Sequence, residues 1–122
     1  RRGLPPIRYR SRLWYRYDNK RTPSGVLLLQ WLYMWFFYIL QSTSKPDYFY
    51  KGSTSDLERR LIEHNSGETL SLKPYRPFRI VYYEAYISEK AARLRERAVK
   101  HSGSISVPLL KRIKESLRQT SL

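Results

Sequence analysis

The sequence predicts an α/β (α+β) domain in which a three-stranded antiparallel sheet is flanked by about three helices. Three runs of aromatic and β-branched residues have the composition and length of strands. Segments with helix-capping residues and helical periodicity follow the second and the third run. A short loop joins the first two runs, so these strands should pair antiparallel. The length of 122 residues suits a single domain of this class.

The first two strands are predicted at 35–41 and 48–53, joined by a turn at 42–47 that contains proline and aspartate. Side chains alternate between the two faces of a strand. The alternation gives Tyr38 and Tyr50 each a defined face of its strand. A hairpin between the strands can therefore bring both phenols to the same side of the sheet.

The first helix is predicted directly after the second strand. Ser55 and Glu58 have the spacing of a capping box, in which the serine caps the helix and the glutamate reaches back. Gly67 is typical of a helix stop. Within the helix, Arg60 and His64 are four residues apart and share one stripe. We expect this stripe at the edge of the face that docks on the sheet, where a cleft wall would lie.

The later half of the chain predicts one more strand and two more helices. In order, the sequence indicates a loop at 68–77, a strand at 78–86, a helix capped by Ser88 that ends near Gly103, and a helix at 106–118 with Pro108 in its first turn. On the second helix, Ala91, Leu94 and Ala98 form the predicted apolar stripe. Glu96 and Lys100 share a different face of that helix.

Charge and composition indicate a polyanionic partner. The chain carries 24 Lys and Arg residues against 10 acids, a net charge of +14, and 15% of its residues are aromatic. Cations meet phosphates and rings stack on bases, so this mixture favours nucleic acid. Cysteine is absent, which excludes disulfides and thiolate metal sites and fits a reducing, cytoplasmic location. With two histidines, the chain offers no multi-histidine zinc site.

Residues 1–33 differ in composition from the rest of the chain. They hold eight Lys and Arg residues against one acid and show no sustained strand or helix period. Met34 is the only methionine, so we expect it to be the natural start. The segment 1–33 is then a basic N-terminal extension, non-native or disordered, and the folded domain is expected at 34–122.

An apolar run at 26–40 allows a second interpretation, because it follows basic residues as a signal peptide or a short membrane anchor does. The run is shorter than the roughly 18–20 residues that a spanning helix needs. No small-residue cleavage site follows it, and its second half has the composition of a buried strand. No stable membrane association is therefore expected.

Several separate blocks of the sequence match one known pattern. The blocks are Phe37-Tyr38-Ile39-Leu40, Tyr50-Lys51-Gly52, the run from Thr54 to Gly67, Val81-Tyr82-Tyr83-Glu84-Ala85-Tyr86, and the run from Arg95 to Lys100. Together they resemble the GIY-YIG endonuclease family over residues 34–118. The chain is most similar to the small stand-alone bacterial members, which are related to the N-terminal nuclease domain of excinuclease C.

The resemblance implies a GIY-YIG-like nuclease domain at 34–122, with the GIY-YIG nuclease fold. It implies a metal-dependent endonuclease that hydrolyses phosphodiester bonds in DNA, uses Mg²⁺ or Mn²⁺, and acts in DNA repair or processing. The matching catalytic residues are the motif tyrosines Tyr38 and Tyr50, the helix arginine Arg60 and the histidine His64. Glu96 matches the glutamate that binds the metal.

The residue types suit this chemistry. A metal ion on Glu96 and the guanidinium of Arg60 would stabilise the charge that develops on the phosphate. Mg²⁺ commonly uses one or two carboxylates and completes its shell with water and substrate. One tyrosine would accept a proton from the attacking water, helped by a cation that lowers its pKa, while the other orients water or phosphate. The sequence leaves open which tyrosine is the base.

The expected nucleic-acid contacts are Lys73, Tyr75 and Arg76 in the 68–77 loop, together with Lys100 on the second helix. DNA is the expected partner and RNA the alternative, with a protein partner supplying specificity. Two other functions stay open. The first is a catalytically weak, basic nucleic-acid-binding domain, and the less favoured second is a membrane-associated basic protein.

Overall fold

The computed structural model describes residues 33–120. The elements are β1 (Trp35–Ser42), β2 (Phe49–Thr54), α1 (Leu57–Ser66), a 3₁₀ helix (Leu70–Tyr75), β3 (Phe78–Tyr86), α2 (Glu89–His101) and α3 (Gly103–Arg118). All of them belong to one compact unit, Trp35–Leu122. The predicted fold class, a three-stranded antiparallel sheet with flanking helices, is confirmed. Residues 1–32, and with them most of the predicted extension and the start of the apolar run, lie outside the described residues.

The sheet has the strand order β2-β1-β3, and both pairings are antiparallel. The central strand β1 is buried along almost its whole length, which explains why its first six residues, Trp35 to Leu40, are apolar or aromatic without a break. In the pairing with β2, Tyr38 lies opposite Gly52 and Leu40 opposite Tyr50. This register fixes the position of the two motif tyrosines, as the predicted hairpin required.

Two apolar clusters cover the two faces of the sheet. Phe37 and Ile39 of β1 pack with Val99 of α2 and with Leu109 and Ile113 of α3. On the other face, the second cluster is formed by Tyr38, Leu40, Leu72 and Phe78, with Leu57 and Leu61 of α1 packed against it. The predicted alternation of β1 therefore separates the helices onto two sides. The edge strand β2 lies between α1 and α2 and is accessible to side chains from both.

The capping box predicted at the start of α1 is wrong by one residue. Asp56, not Ser55, is the N-cap, and its side chain accepts a hydrogen bond of 3.0 Å from the backbone N–H of Arg59. Thr54 still belongs to β2, and its hydroxyl accepts from the Asp56 backbone N–H at 3.0 Å. Strand β2 therefore continues to Thr54, one residue beyond its predicted end, and helix α1 starts one residue later than predicted. Gly67 does end the helix, in the left-handed conformation with φ of 85°.

Two later boundaries also differ from the prediction. The predicted 68–77 loop contains the 3₁₀ helix Leu70–Tyr75, and Leu72 of this helix is buried in the second cluster. Helix α3 begins at Gly103 rather than at residue 106, so Pro108 lies in its second turn. Between α2 and α3 only Ser102 remains, and its backbone N–H still bonds the carbonyl of Ala98.

The apolar stripe predicted on α2 is wrong. The buried residues of α2 are Ala92 and Val99, whereas Leu94 is 50% exposed. Glu96 lies four residues after Ala92 and three before Val99, so it adjoins the buried face. This rotation of the helix directs the glutamate toward β2 instead of toward solvent. Within residues 33–120, no helix combines the length and the apolar character needed to cross a membrane.

Candidate active site

A polar pocket of about 360 Å³ opens beside β2 and is lined by residues from four elements. Tyr38 comes from β1, Tyr50 from β2, Arg60 from α1 and Glu96 from α2. The structure thus brings together four of the five side chains expected to be catalytic or metal-binding. A larger groove of about 480 Å³ along α3 is mainly apolar and has no carboxylate in its lining, so the smaller pocket is the better candidate for phosphate chemistry.

Tyr38 forms the inner wall of the pocket. Its hydroxyl lies 3.1 Å from Nε2 of His64, and the charge of Arg60 is close enough to act on it. Burial raises the pKa of Tyr38 well above the ordinary value of a phenol, and the neighbouring Tyr50 adds to this rise. Arg60 opposes the rise without cancelling it. The expected cation therefore does act to lower the pKa of Tyr38, but burial outweighs it and the net pKa of Tyr38 is raised.

His64 lies behind Tyr38 and does not line the pocket. It is fully buried, with its ring 4.9 Å from the ring of Tyr50 in an edge-on contact. Burial, together with the charge of Arg60, lowers the pKa of His64 to about 4, so the imidazole is neutral at pH 7. The prediction that His64 lies at the cleft wall is wrong, since helix α1 directs it into the core. Its contacts with the pocket run through Tyr38, by the hydrogen bond, and through Tyr50, by the ring contact.

Arg60 is held in the pocket by Glu63, a residue that the sequence patterns did not single out. The guanidinium donates to the Glu63 carboxylate at 2.9 Å. The pKa of Arg60 is raised, first by this hydrogen bond, and the guanidinium stays charged. Arg59 also lies near Glu63, at 3.6 Å. The three- and four-residue spacings on α1 are the signal that would have indicated these pairs.

Glu96 is fixed by one hydrogen bond and one ion pair, each on a different carboxylate oxygen. The Ser53 hydroxyl donates to Oε1 at 2.5 Å, and the Lys100 ammonium lies 2.7 Å from Oε2. Burial opposes ionisation of the carboxyl, but the bonds from Lys100 and Ser53 outweigh it and lower the pKa of Glu96. Glu96 is therefore an anion at neutral pH. Ser53 was not predicted, because its contact spans 43 residues of sequence.

The donor set fits a divalent metal ion that is bound mainly by water and substrate. A carboxylate accepts about four hydrogen bonds or metal contacts, and Glu96 uses two of these positions on Ser53 and Lys100. Within residues 33–120, no cluster of three or more His, Asp or Glu side chains is arranged to hold a metal. A single carboxylate with water and phosphate is a usual arrangement for Mg²⁺.

The residues expected to bind nucleic acid fall into two groups. Lys100 adjoins the pocket, because it pairs with Glu96 and its ammonium lies 5.8 Å from the centre of the Tyr50 ring. Lys73, Tyr75 and Arg76 do not line the pocket. The Tyr75 ring stacks on Tyr48 at 3.8 Å, and Arg76 donates to the backbone carbonyl of Lys73. Their contact with nucleic acid stays a prediction.

The chain is similar to small bacterial proteins. UPF0213 proteins of Streptococcus pyogenes serotypes M5, M3 and M1 are 38% identical to it over 58 residues, which is 47% of this chain and 61% of each relative. The chain thus spans about three fifths of the length of these relatives. It is also similar to the UPF0213 protein BH0048 of Bacillus halodurans, solved by NMR. That match has 32% identity and a TM-score of 0.40, and it covers 64% of this chain and 83% of that protein.

The family comparison covers the pocket itself. The profile of the GIY-YIG catalytic domain matches residues 34–104. This range holds both motif tyrosines, α1 with Arg60, and α2 with Glu96. More than half of the chain is matched, and the protein therefore belongs to the GIY-YIG family of nucleases.

Proposed function

We propose that this domain is an endonuclease that hydrolyses phosphodiester bonds in DNA with the help of one divalent metal ion. The observation that supports it most is the convergence of Tyr38, Tyr50, Arg60 and Glu96, from four separate elements, on one polar pocket. A packing role for the tyrosines or a solvated helix pair for Glu96 would not require this convergence.

In the proposed reaction, Arg60 and a metal ion bound to Glu96 would stabilise the negative charge of the phosphate. A phosphodiester is anionic, and its transition state for hydrolysis carries more negative charge on the phosphate oxygens. The guanidinium of Arg60, kept charged and oriented by Glu63, would bind those oxygens. Mg²⁺ or Mn²⁺ on Glu96 would supply Lewis-acid stabilisation of the same charge.

Tyr50 is the better general base of the two motif tyrosines. Tyr38 is buried, its pKa is raised, and its hydroxyl is engaged by His64 and Arg60. Tyr50 is only half-buried and lines the pocket. In its phenolate form, Tyr50 would take a proton from water while the water oxygen bonds to phosphorus. The P–O bond to the leaving group then breaks, and the leaving oxygen takes a proton from solvent.

Basic charge supports DNA as the substrate, with RNA as the alternative. The net charge of +14 attracts any phosphate backbone. The pocket residues named above are suited to phosphate, and none of them is a module that reads base edges. We propose that this activity serves DNA repair or processing. We expect the enzyme to select the structure of the nucleic acid rather than its base sequence.

A cleavage assay on the full chain tests this function. Supercoiled plasmid and labelled single strands, duplexes, flaps and forks are incubated with Mg²⁺ or Mn²⁺, and with EDTA as the metal-free arm. Glu96→Gln and Arg60→Ala should each slow cleavage by about 10²- to 10³-fold, as expected when a charge-stabilising group is removed. Lys111→Ala, an exposed change on α3 away from the pocket, is the control and should cleave normally.

Two outcomes would redirect the proposal. Cleavage that is equal in wild type and Glu96→Gln comes from a contaminating nuclease and rejects the site. Binding in EDTA without cleavage of any substrate favours a nucleic-acid-binding domain. The engagement of both Glu96 oxygens by protein groups is the observation that makes this second function worth testing.

A further inference from the structure

Helix α2 presents a stripe of cations next to the candidate active site. Arg93, Arg97 and Lys100 lie at positions i, i+4 and i+7, which share one face of a helix. All three are exposed. Glu96 lies between this stripe and the buried residue Val99. The basic stripe therefore extends along the helix on both sides of the carboxylate of the pocket, with Arg93 one turn before Glu96 and Lys100 one turn after it.

The surface along this stripe is a continuous depression. A second pocket of about 230 Å³ is lined by Arg97, Lys100 and His101, and it shares Arg93 and Glu96 with the candidate active site. A substrate chain that enters the first pocket can therefore continue into the second without leaving the surface.

The cations of the stripe differ in how firmly they are held. Arg95, which points to the opposite side of α2, is bound to Glu84 by bonds of 3.0 and 3.1 Å and is not available. Arg93 forms an exposed ion pair with Glu89 of its own helix, and such pairs contribute little and exchange readily. Lys100 pairs with the less exposed Glu96, while its own side chain is 40% exposed. Arg97 has no ion pair with any group in residues 33–120.

We propose that α2 is the backbone-binding track of this nuclease, on which Arg93, Arg97 and Lys100 bind successive phosphates of the strand whose scissile phosphate lies at Glu96. This inference rests on the proposed function. From Arg93 to Lys100 the helix rises about 10 Å. This length equals the rise of roughly three nucleotides of one strand along the axis of a DNA duplex. The track replaces the 73–76 segment as the main contact, because Tyr75 and Arg76 are engaged by other groups of the fold.

The test measures binding separately from cleavage. The anisotropy of a short fluorescein-labelled single strand is followed in EDTA between about 50 and 200 mM KCl, and log K is plotted against log salt. Arg97→Ala should reduce the slope by about 0.7, the value for one phosphate contact on a single strand, and Arg93→Ala/Arg97→Ala by about twice that. The matched control Lys111→Ala should leave the slope unchanged.

The outcomes separate the track from the nuclease function. A slope that falls in the α2 variants, without cleavage of any substrate in Mg²⁺ or Mn²⁺, supports the track and rejects the nuclease. Normal cleavage with an unchanged slope in Arg97→Ala rejects the track alone. A reduction in Lys111→Ala as large as in Arg97→Ala also rejects it, because the effect would then be one of net charge. Wild-type protein that does not bind the strand at all overturns both proposals.

Discussion

Tyr38 lies against the backbone of Gly52, so that a Cβ atom on residue 52 would stand 2.5 Å from the phenol oxygen and 2.7 Å from Cζ. The two residues face each other in the β1–β2 pairing. The ring is 2% exposed and is also confined by its hydrogen bond to His64. Because Gly52 has no side chain, the Tyr38 ring fits against the backbone of β2 and lines the same pocket as Arg60.

Gly52→Ala should displace Tyr38 and weaken both stability and catalysis. The added methyl group meets the ring rather than a flexible chain end, so we expect a loss of about 1–3 kcal/mol in the free energy of unfolding, typical of overpacking. Cleavage should fall in addition, because the phenol loses its place beside His64 and Arg60 in the pocket. Urea denaturation and the plasmid assay measure the two effects.

Gly103→Ala is the matched control for that substitution. A Cβ atom on Gly103 meets nothing within 4 Å, and this residue is the first of helix α3. Alanine is the better helix former, so stability should stay the same or rise by up to about 1 kcal/mol. If both variants lose stability equally, the close approach of Tyr38 to Gly52 has no energetic consequence.

Ser53→Ala should weaken the metal site without removing its ligand. The variant loses the 2.5 Å hydrogen bond to Glu96, which is one of the bonds that lower the pKa of that carboxyl. Loss of a partner that orients a metal ligand typically costs about 10- to 100-fold in metal affinity. A Mn²⁺ titration measures this effect directly, and Ser53→Thr should restore the affinity. Equal affinities in wild type and Ser53→Ala would show that Ser53 does not position Glu96.

The sequence predicted those features that depend on local periodicity. The alternation of β1 and β2 was sufficient to place Tyr38 and Tyr50 on one face, since side chains in strands repeat every two residues. The helical position of Arg60 followed from its four-residue spacings in the same way. The predicted convergence of Glu96 on these residues came from the family resemblance, because nothing local relates α2 to β2.

Features that depend on packing were missed or misplaced. The helical spacing places His64 at the edge of the buried face, on a cleft wall, but the aromatic rings of Tyr50 and Phe78 enclose it in the core. The predicted apolar stripe of α2 is Ala91, Leu94 and Ala98, whereas the smaller Ala92 and Val99 are the buried residues of this helix. Ser53 was passed over, since a serine in a strand carries no local signal for a carboxylate on a later helix.

Lys100→Met should tighten the binding of a divalent metal ion. The Lys100 ammonium lies 2.7 Å from Glu96 and neutralises the carboxylate that the metal requires. Its side chain is 40% exposed, so the pair is worth no more than about 1 kcal/mol. Removing it should lower the dissociation constant for Mn²⁺ by about two- to fivefold. Titration calorimetry at fixed pH and ionic strength measures the change.

Lys111→Met is the control for the Lys100 experiment, since it removes a cation from α3 and leaves Glu96 untouched. It should bind Mn²⁺ like the wild type. Weaker binding in Lys100→Met would mean that the lysine supports the metal site instead of competing with the ion. In that case Glu96 and Lys100 would act together on the substrate phosphate.

His64 should make the protein sensitive to mild acid. Its pKa is lowered to about 4 by burial and by Arg60, against an ordinary value of 6.5. Between these values the unfolded chain binds a proton that the folded chain does not bind. Stability is therefore complete above about pH 6.5 and falls as the pH decreases toward 4, by on the order of 3 kcal/mol.

His64→Gln isolates this effect, because glutamine does not titrate and can still accept a hydrogen bond from Tyr38. The variant should be less stable than wild type at pH 7, and its stability should decline less between about pH 6.5 and 4.5. The carboxylates with lowered pKa values, such as Glu84 and Glu96, affect both proteins alike and mainly below about pH 4.5. His101→Gln, at the exposed end of α2, should follow the wild-type curve. Parallel curves for wild type and His64→Gln would mean that the buried imidazole is protonated as readily in the folded protein as in the unfolded chain.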